Sequence, residues 1–268
     1  TPDLTDWENF VERLINPQHQ VTIAVVGKYI DLQDAYKSIY ESLTIAGAAH
    51  NAEVTIVRID SESIEEGDAS AIIGEVDGIL IPGGFGDRGI EGKILAARYA
   101  RSTGIPFLGI CLGMQVATVE FARNVCDLEG AHTTECNKDT PHPVISLQEE
   151  QKGIKDMGAT MRLGSCDSII HPGTLAANLY GGEQTIKERH RHRYEFNPAY
   201  LEKLTEAGLI ISSVSAAEGL VEIIELADHP FYIGAQFHPE FQSKPNRPHP
   251  LFSGFVKASL KSTAAGSA

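Results

Sequence analysis

The sequence predicts an α/β fold, a mainly parallel central sheet with helices on both faces and antiparallel additions near the C-terminus. Apolar runs typical of buried strands alternate with helical patterns through the first half of the chain, and such alternation favours a parallel sheet covered by helices. A cysteine between two glycines, within residues 109–113, joins a strand to a helix as a nucleophile elbow would. Beyond residue 160, a β segment looks antiparallel.

The first predicted elements precede the glycine-flanked cysteine. Residues 1–20 are expected to be a lead-in, a short amphipathic helix and a linker on the outside of the domain, because apolar residues recur there at helical spacing. The domain itself is assigned residues 21–262. Its first part is predicted to contain strands at 21–26, 52–58 and 77–81, a helix at 34–50, and an acidic loop or helix start at 61–69.

A second group of elements surrounds the cysteine and completes the domain. An apolar run at 105–108 leads into the turn, and a helix is predicted at 112–122. Residues 126–158 are polar and weakly periodic, which predicts loops at the edge of the site. The remaining predictions are β segments at 161–164 and 168–170, strands at 209–214, 220–225 and 231–236, helices at 198–207 and 249–260, and a small, polar, disordered tail at 263–268.

The bulk composition argues against several classes of function. The 268 residues are 42% hydrophobic and 22% charged, as in ordinary globular proteins. A net charge of −14 argues against binding nucleic acid through its phosphates. No apolar run is long enough to span a bilayer and no signal peptide is evident, so we expect no membrane partner. The four cysteines lack metal-ligand spacing, which predicts no metal site, free thiols and a reducing, cytoplasmic compartment.

Cys111 stands at the centre of the predicted elbow. A sharp strand-to-helix turn strains its central residue and leaves no room for side chains on the neighbours, which explains Gly109 and Gly113. The start of the following helix presents free N–H groups and a partial positive charge, which favour a thiolate. The pattern therefore predicts a nucleophile. A buried structural cysteine beside close-packed glycines is the alternative.

Two glycine-containing segments invite a nucleotide-binding interpretation. Gly27-Lys28 is not a phosphate loop, because the upstream glycine is missing and Tyr29 stands where Ser or Thr should hold magnesium. Residues 82–89 contain a formal G-x-G-x-x-G, but no acidic residue follows at the ribose-binding distance. The better interpretation is a loop around Gly84 whose backbone N–H groups form an oxyanion hole beside the thiol. A plain structural turn is the alternative.

A histidine and a glutamate complete the expected triad. His238 and Glu240 follow the last predicted strand, so that Glu240 would fix the imidazole and His238 would act as a base toward Cys111. Upstream, residues 188–196 are the densest charge cluster of the chain. Most of this cluster is expected to be solvated or salt-bridged, with at most one arginine clamping a substrate carboxylate.

These motifs resemble those of the class I, triad-type glutamine amidotransferases, namely Gly-Ile-Cys-Leu-Gly-Met-Gln at 109–115 and Phe-His-Pro-Glu at 237–240. The segments Pro-Gly-Gly-Phe-Gly-x-Arg-Gly, Met-Arg-Leu-Gly and Arg-His-Arg-His-Arg-Tyr-Glu-Phe-Asn narrow the likeness to the glutaminase half of the CTP synthases. The resemblance covers residues 1–260 and implies the class I glutamine amidotransferase fold.

The resemblance implies a cysteine-dependent hydrolysis of L-glutamine to glutamate and ammonia. By position, Cys111 matches the nucleophile, His238 the general base and acid, and Glu240 its orienting partner. The oxyanion hole and the substrate contacts match Gly84, the backbone N–H of Leu112, Gln115, Glu135 for the substrate ammonium, and Arg193 for its carboxylate. Arg191, on the same face, is the other arginine considered for the last role.

The resemblance also implies partners. In this family ammonia passes through a channel to an ATP-using synthetase half of the same polypeptide, which aminates UTP to CTP. GTP activates the glutaminase, and the whole enzyme is a homotetramer. The synthetase half is absent from these residues, so we expect no cofactor in this chain, with ATP and Mg²⁺ confined to that half and GTP an effector of the full-length enzyme.

Two other functions stay open at this point. The same triad would serve a γ-glutamyl hydrolase that acts on peptides or conjugates, and a panel of substrates separates that enzyme from a glutaminase. The chain in isolation would alternatively be a catalytically silent regulatory or assembly module, whose triad is aligned only by its partner half.

Overall fold

Two sheets form the framework of the protein. The computed structural model describes residues 2–30, 32–147 and 161–266, and within these ranges nine strands make a large sheet and three make a small one. The strands are β1 (His19–Gly27), β2 (Ala52–Asp60), β3 (Gly78–Ile81), β4 (Phe107–Ile110), β5 (His132–Thr133), β6 (Pro143–Ser146), β7 (Arg162–Ile170), β8 (Thr185–His192), β9 (Glu195–Phe196), β10 (Leu209–Ser215), β11 (Val221–Leu226) and β12 (Tyr232–Ala235).

The large sheet is parallel on one side and antiparallel on the other. Its strand order is β2-β1-β3-β4-β12-β11-β10-β7-β8. The neighbours from β2 to β12 pair in parallel, and those from β12 to β8 pair antiparallel. The predicted α/β architecture is therefore confirmed, and the two central strands that end beside each other at the same edge are β4 and β12.

Helices cover both faces of the large sheet. Alternate side chains of β1 enter two different hydrophobic cores, Ala24 and Val26 in one, Ile23 and Val25 in the other, as the two-residue period of a strand requires. The helices in the described ranges are α1 (Thr5–Ile15), α2 (Lys37–Ala49), α3 (Ser61–Glu66), α4 (Ala69–Ile73), α5 (Ile90–Thr103), α6 (Leu112–Asn124), α7 (Leu175–Leu179), α8 (Leu201–Glu206) and α9 (Pro250–Gly266).

The acidic segment at 61–69 starts helices because aspartates cap them. The Asp60 carboxylate accepts a hydrogen bond from the backbone N–H of Glu62 at 3.0 Å, and Asp68 does the same for Ser70 at 3.1 Å. Such caps satisfy N–H groups that have no partner inside the helix. Of the two predictions for this segment, a solvated loop or a helix start, the second is confirmed.

The N-terminal helix α1 lies within the predicted lead-in. It contacts α2 and β2, and none of its residues is buried. Across the described ranges, no helix is long and apolar enough to cross a lipid bilayer.

Several segments differ from the sequence-based expectations. Residues 126–147, expected to be loops, include β5 and β6, strands of two and four residues that are too short to show a period; residues 148–158 of the same expectation lie outside the described residues. By contrast, the antiparallel β segment predicted from 161–164 and 168–170 is confirmed as the strand β7, which begins at residue 162. Helix α9 continues to residue 266, so 263–266 of the expected disordered tail are helical, whereas 267–268 lie outside the described residues.

Candidate active site

The cysteine elbow is built by steric constraints. Cys111 alone joins β4 to α6, with φ of 52° and ψ of −103°, a conformation that L-residues rarely adopt. A Cβ atom on Gly109 would lie 2.6 Å from the carbonyl oxygen of Gly113, and one on Gly113 would lie 2.2 Å from the carbonyl oxygen of Ile81. Only glycine fits at both positions, as the sequence predicts.

Strand β12 brings the histidine and the glutamate to the elbow. It pairs in parallel with β4, with Ala235 opposite Ile110, and the backbone N–H of Cys111 donates to the Ala235 carbonyl at 2.7 Å. After the strand, a proline-led 3-10 turn folds the chain so that Glu240 Oε1 lies 2.7 Å from His238 Nδ1. The parallel register thus places the thiol and the imidazole at the same edge of the sheet.

The imidazole of His238 is enclosed and strongly basic. Phe241 stacks on it with ring centroids 5.1 Å apart, and a Cβ on Gly83 would lie 2.9 Å from His238 Cε1 and 3.5 Å from Cys111 Cβ. Burial lowers the pKa of His238, but the Cys111 sulfur and the Glu240 carboxylate outweigh burial and raise that pKa to about 10. The imidazolium is therefore the favoured form of this side chain near neutral pH.

The glycine loop that follows β3 meets the start of α6 beside the thiol. A Cβ on Gly84 would lie 3.4 Å from Leu112 Cδ2, an ordinary contact distance. The Glu135 side chain secures the loop, since its Oε1 accepts a hydrogen bond from the Gly86 N–H at 2.8 Å. The first N–H groups of a helix, that of Leu112 among them, have no intrahelical partner. Two sources of backbone donors therefore converge on this part of the protein.

Two cavities meet at Cys111. The larger has a volume of about 250 Å³ and contains the triad partners and several aromatic side chains; its lining includes Tyr29, Tyr36, Gly84, Phe85, Cys111, Arg191, His238, Glu240 and Phe241. The smaller has a volume of about 70 Å³ and is lined by Gly84, Phe85, Cys111, Gln115, Glu135, Met161, His192, Arg193 and Tyr194. Three residues line both cavities, namely Gly84, Phe85 and Cys111. The candidate nucleophile therefore lies where the two cavities meet.

The smaller cavity collects most of the residues expected to bind substrate. Gly84, Gln115, Glu135 and Arg193 all line it, and Leu112 lies beside Gly84 with 1% of its surface exposed. A carboxylate and a guanidinium in one small space complement the ammonium and carboxylate groups of a free amino acid. Among the described residues, no group of three or more His, Cys, Asp or Glu side chains could hold a metal ion.

The charge cluster at 188–196 is mostly solvated or paired, as expected, because its exposed arginines alternate with buried side chains that lie within ion-pair distance of a carboxylate or a histidine. Along β8 the buried positions include Glu188, His190 and His192, whereas Arg189 and Arg191 are exposed. The strand sets this alternation, which charge content alone does not reveal. His190 has a buried partner, because its Nε2 lies 2.6 Å from Oε2 of Glu222 on β11.

Arginines of this cluster approach both cavities. Arg193, which follows β8, lines the smaller cavity, and Arg191 lines the larger one. Two arginines of the cluster thus line the cavities that meet at Cys111, and the assignment of one of them as the clamp of a substrate carboxylate stays a prediction.

Sequence reasoning missed two further residues near the thiol. His192 lines the smaller cavity, and Gln236 Nε2 donates a hydrogen bond to Cys111 Sγ at 3.7 Å. No local sequence signal indicates the contact of Gln236, because that contact depends on the pairing of β12 with β4.

Comparisons with known proteins agree with this geometry. A family model described as Glutamine amidotransferase class-I matches residues 31–258. The CTP synthase of Synechococcus sp. (strain JA-3-3Ab) is 56% identical over 261 residues, which are 97% of this chain and 48% of that protein. The CTP synthase of Carboxydothermus hydrogenoformans is 55% identical over 260 residues, with the same two coverages of 97% and 48%. The chain thus spans about half the length of these curated relatives.

Solved structures extend the comparison. PurLQS from Thermotoga maritima, with a TM-score of 0.53 and 16% identity over 90% of this chain and 98% of that one, shares the fold. The Trypanosoma brucei CTPS glutaminase domain with bound acivicin has a TM-score of 0.84 and 40% identity, covering 90% of this chain and 94% of that one. The chain belongs to the class I glutamine amidotransferases and is a glutaminase domain of the CTP synthase type.

Proposed function

We propose that this chain hydrolyses the side-chain amide of L-glutamine, with Cys111 as the nucleophile, His238 as the general acid and base, and Glu240 as the group that orients the imidazole. The observation that carries the proposal is the position of Cys111 where the two cavities meet. On one side of the sulfur lie the two triad partners, and on the other lie charged groups suited to an amino acid. Membership of the amidotransferase family supports this assignment.

The smaller cavity is the proposed substrate site. The Glu135 carboxylate would hold the substrate ammonium, and Arg193 would clamp the carboxylate with two parallel hydrogen bonds. Gln115 Nε2 donates to the Tyr194 carbonyl at 3.1 Å and to Gln236 Oε1 at 3.2 Å. Both amide hydrogens of Gln115 are thereby used, so its oxygen is the group left to accept a hydrogen bond from the substrate.

Acylation begins from a thiolate beside an imidazolium. The Cys111 thiolate attacks the amide carbon of glutamine, and the backbone N–H groups of Gly84 and Leu112 stabilise the oxyanion that develops. His238 then gives its proton to the leaving nitrogen, so that ammonia departs and a γ-glutamyl thioester remains.

Deacylation uses the same imidazole as a base. Once the sulfur is acylated it no longer carries a negative charge, so one of the causes that raise the pKa of His238 is lost while burial still lowers that pKa. The neutral imidazole takes a proton from water, and the hydroxide attacks the thioester carbon. Collapse of the intermediate releases glutamate and restores the thiolate beside the imidazolium.

A longer enzyme would use the ammonia. We propose that, in a full-length protein of the CTP synthase type, the ammonia passes to a synthetase half of the same polypeptide. There it would aminate UTP to CTP. ATP and Mg²⁺ would act in that half, GTP would activate the glutaminase, and the enzyme would be a cytoplasmic homotetramer. The similarity to CTP synthases of about twice this length supports the proposal.

Turnover of a substrate panel tests the proposed function. We expect the purified chain to release glutamate and ammonia in equal amounts from L-glutamine, and to act more slowly on γ-glutamyl peptides, because membership of the glutamine amidotransferases favours glutamine as the substrate. Both products are measured by enzyme-coupled assays. Faster hydrolysis of γ-glutamyl peptides than of glutamine would contradict the proposed substrate.

Replacing Glu240 with glutamine is expected to lower kcat by about a hundredfold, within the range of general acid–base contributions. The carboxylate is one cause of the raised pKa of His238, so its removal lowers that pKa and the imidazolium is lost at a lower pH. The alkaline limb of the kcat/KM profile therefore moves toward neutral pH, which initial rates between pH 6 and 10 measure. An unchanged alkaline limb would contradict the role of Glu240.

Replacing Arg193 with lysine is expected to raise KM for glutamine by about tenfold and to change kcat less, because lysine keeps the charge but loses the two-pronged geometry. Arg189→Lys is the matched control, since Arg189 is exposed on β8 and does not line either cavity. Steady-state kinetics of the two variants decide the matter. Equal KM values for both would show that Arg193 does not bind the substrate carboxylate.

A further inference from the structure

We propose that Gln236 is an additional catalytic residue, whose side-chain amide donates a hydrogen bond to Cys111 Sγ and stabilises the thiolate. The inference rests on the proposed function in taking Cys111 as the nucleophile. It starts from the contact between Gln236 Nε2 and the sulfur at 3.7 Å, a normal length for an N–H donor to sulfur because the sulfur atom is large.

The backbone fixes this contact. Strands β4 and β12 pair in parallel, and the last matched residues are Ile110 and Ala235. The next residues along the two strands, Cys111 and Gln236, are therefore neighbours. Gln236 is fully buried, and its backbone N–H donates to the Glu222 carbonyl at 2.9 Å, so neighbouring strands hold it on both sides.

The orientation of the Gln236 amide follows from a chain of hydrogen bonds that begins at a backbone carbonyl. The Tyr194 carbonyl oxygen can only accept, so the Gln115 group 3.1 Å from it is the NH₂. The same NH₂ lies 3.2 Å from Gln236, which must therefore present its oxygen there. The NH₂ of Gln236 is then the end that faces the Cys111 sulfur.

A donor aimed at sulfur favours the charged thiolate over the neutral thiol, because hydrogen bonds to ions are stronger than those between neutral groups. Gln236 would thus act twice in the reaction. It stabilises the attacking thiolate at the start, and it stabilises the thiolate that leaves when the thioester is hydrolysed. Since Gln115 lines the substrate cavity and also holds the Gln236 oxygen, the substrate site and the donor to the nucleophile share one hydrogen-bond chain.

The test measures the reactivity of the thiol without using glutamine. Alkylation of Cys111 by iodoacetamide is followed by mass spectrometry of its peptide between pH 5 and 10, in the wild-type chain and in Gln236→Met, which keeps the length of the side chain but removes the donor. We expect the pH midpoint of alkylation to rise by about one unit and kcat/KM for glutamine to fall by about tenfold or more. Gln184→Met, at an exposed site, is the matched control and should change neither.

Other cysteines provide internal references in the same spectra. Burial raises the pKa of Cys126, and burial with nearby carboxylates raises the pKa of Cys136 to about 11. Their alkylation rates at each pH should stay the same in Gln236→Met, because neither thiol belongs to the hydrogen-bond chain that holds Gln236. A uniform shift of all thiols would show general loosening of the fold and would contradict a specific donor.

A second variant keeps the proposal testable if Gln236→Met does not fold. Gln236→Glu retains an oxygen that accepts the hydrogen bond from Gln115 and replaces the donor to sulfur by a second oxygen. We expect a larger rise of the Cys111 alkylation midpoint than in Gln236→Met, since a carboxylate repels the thiolate. An unchanged pH midpoint of Cys111 alkylation in a folded variant would overturn the proposal. If the midpoint shifts as expected but the wild-type chain does not hydrolyse glutamine, only the proposed function is contradicted.

Discussion

Replacement of Cys111 by alanine is expected to abolish glutamine hydrolysis, with a loss of at least about 10⁴-fold in kcat, since loss of a catalytic nucleophile removes the covalent pathway. The protein should keep its fold, because alanine is smaller than cysteine and the turn already has a glycine on each side. Glutamate release, measured beside the wild-type chain, gives the loss in rate.

Binding of glutamine separates this explanation from unfolding. The anchors proposed for the amino acid, Glu135 and Arg193, lie in the smaller cavity and do not depend on the thiol. Isothermal titration of Cys111→Ala with L-glutamine should therefore show binding, with a dissociation constant of the same order as the KM of the wild-type chain. A hydrolysis rate that survives the substitution would contradict the nucleophile assignment.

Replacement of Gly113 by alanine is expected to destabilise the fold by more than about 3 kcal/mol, among the larger effects of single substitutions. The added Cβ would lie 2.2 Å from the carbonyl oxygen of Ile81, so either α6 or β3 must move. Because both elements belong to the central core, the strain has no flexible side chain to absorb it. Urea unfolding monitored by circular dichroism measures the loss.

The neighbouring loop offers a matched control for that substitution. A Cβ on Gly84 would meet Leu112 Cδ2 at 3.4 Å, an ordinary contact. We expect Gly84→Ala to change the free energy of unfolding by less than about 1 kcal/mol. Equal stabilities of the Gly84 and Gly113 variants would show that the close approach of α6 to β3 does not explain the glycine at the elbow.

The elbow was predictable from the sequence because its cause is local. Strand, cysteine, helix and two glycines follow one another within residues 105–122, and the steric reason for both glycines applies to any tight turn of this kind. The relation of His238 to Glu240 was equally local, since the two residues are separated by one proline. The parallel half of the sheet was also predictable, because strands and helices alternate along that part of the chain.

The parts that the sequence did not reveal depend on tertiary contacts. Strands β5, β6 and β9 have two to four residues, too few for a periodic pattern, and pairing alone defines them. Burial of His190 and His192 depends on which face of β8 meets the core. The contact of Gln236 with Cys111 requires the register of β12 against β4, which joins residues more than a hundred positions apart.

The most direct test of the central claim is labelling by an electrophilic analogue of glutamine, mapped by mass spectrometry. The proposed site predicts one label per chain, attached to Cys111, with labelling slowed by excess L-glutamine and with hydrolysis lost in proportion to the labelled fraction. Attachment at Cys126, Cys136 or Cys166, or full hydrolysis by chains already labelled at Cys111, would contradict a glutaminase built on this elbow.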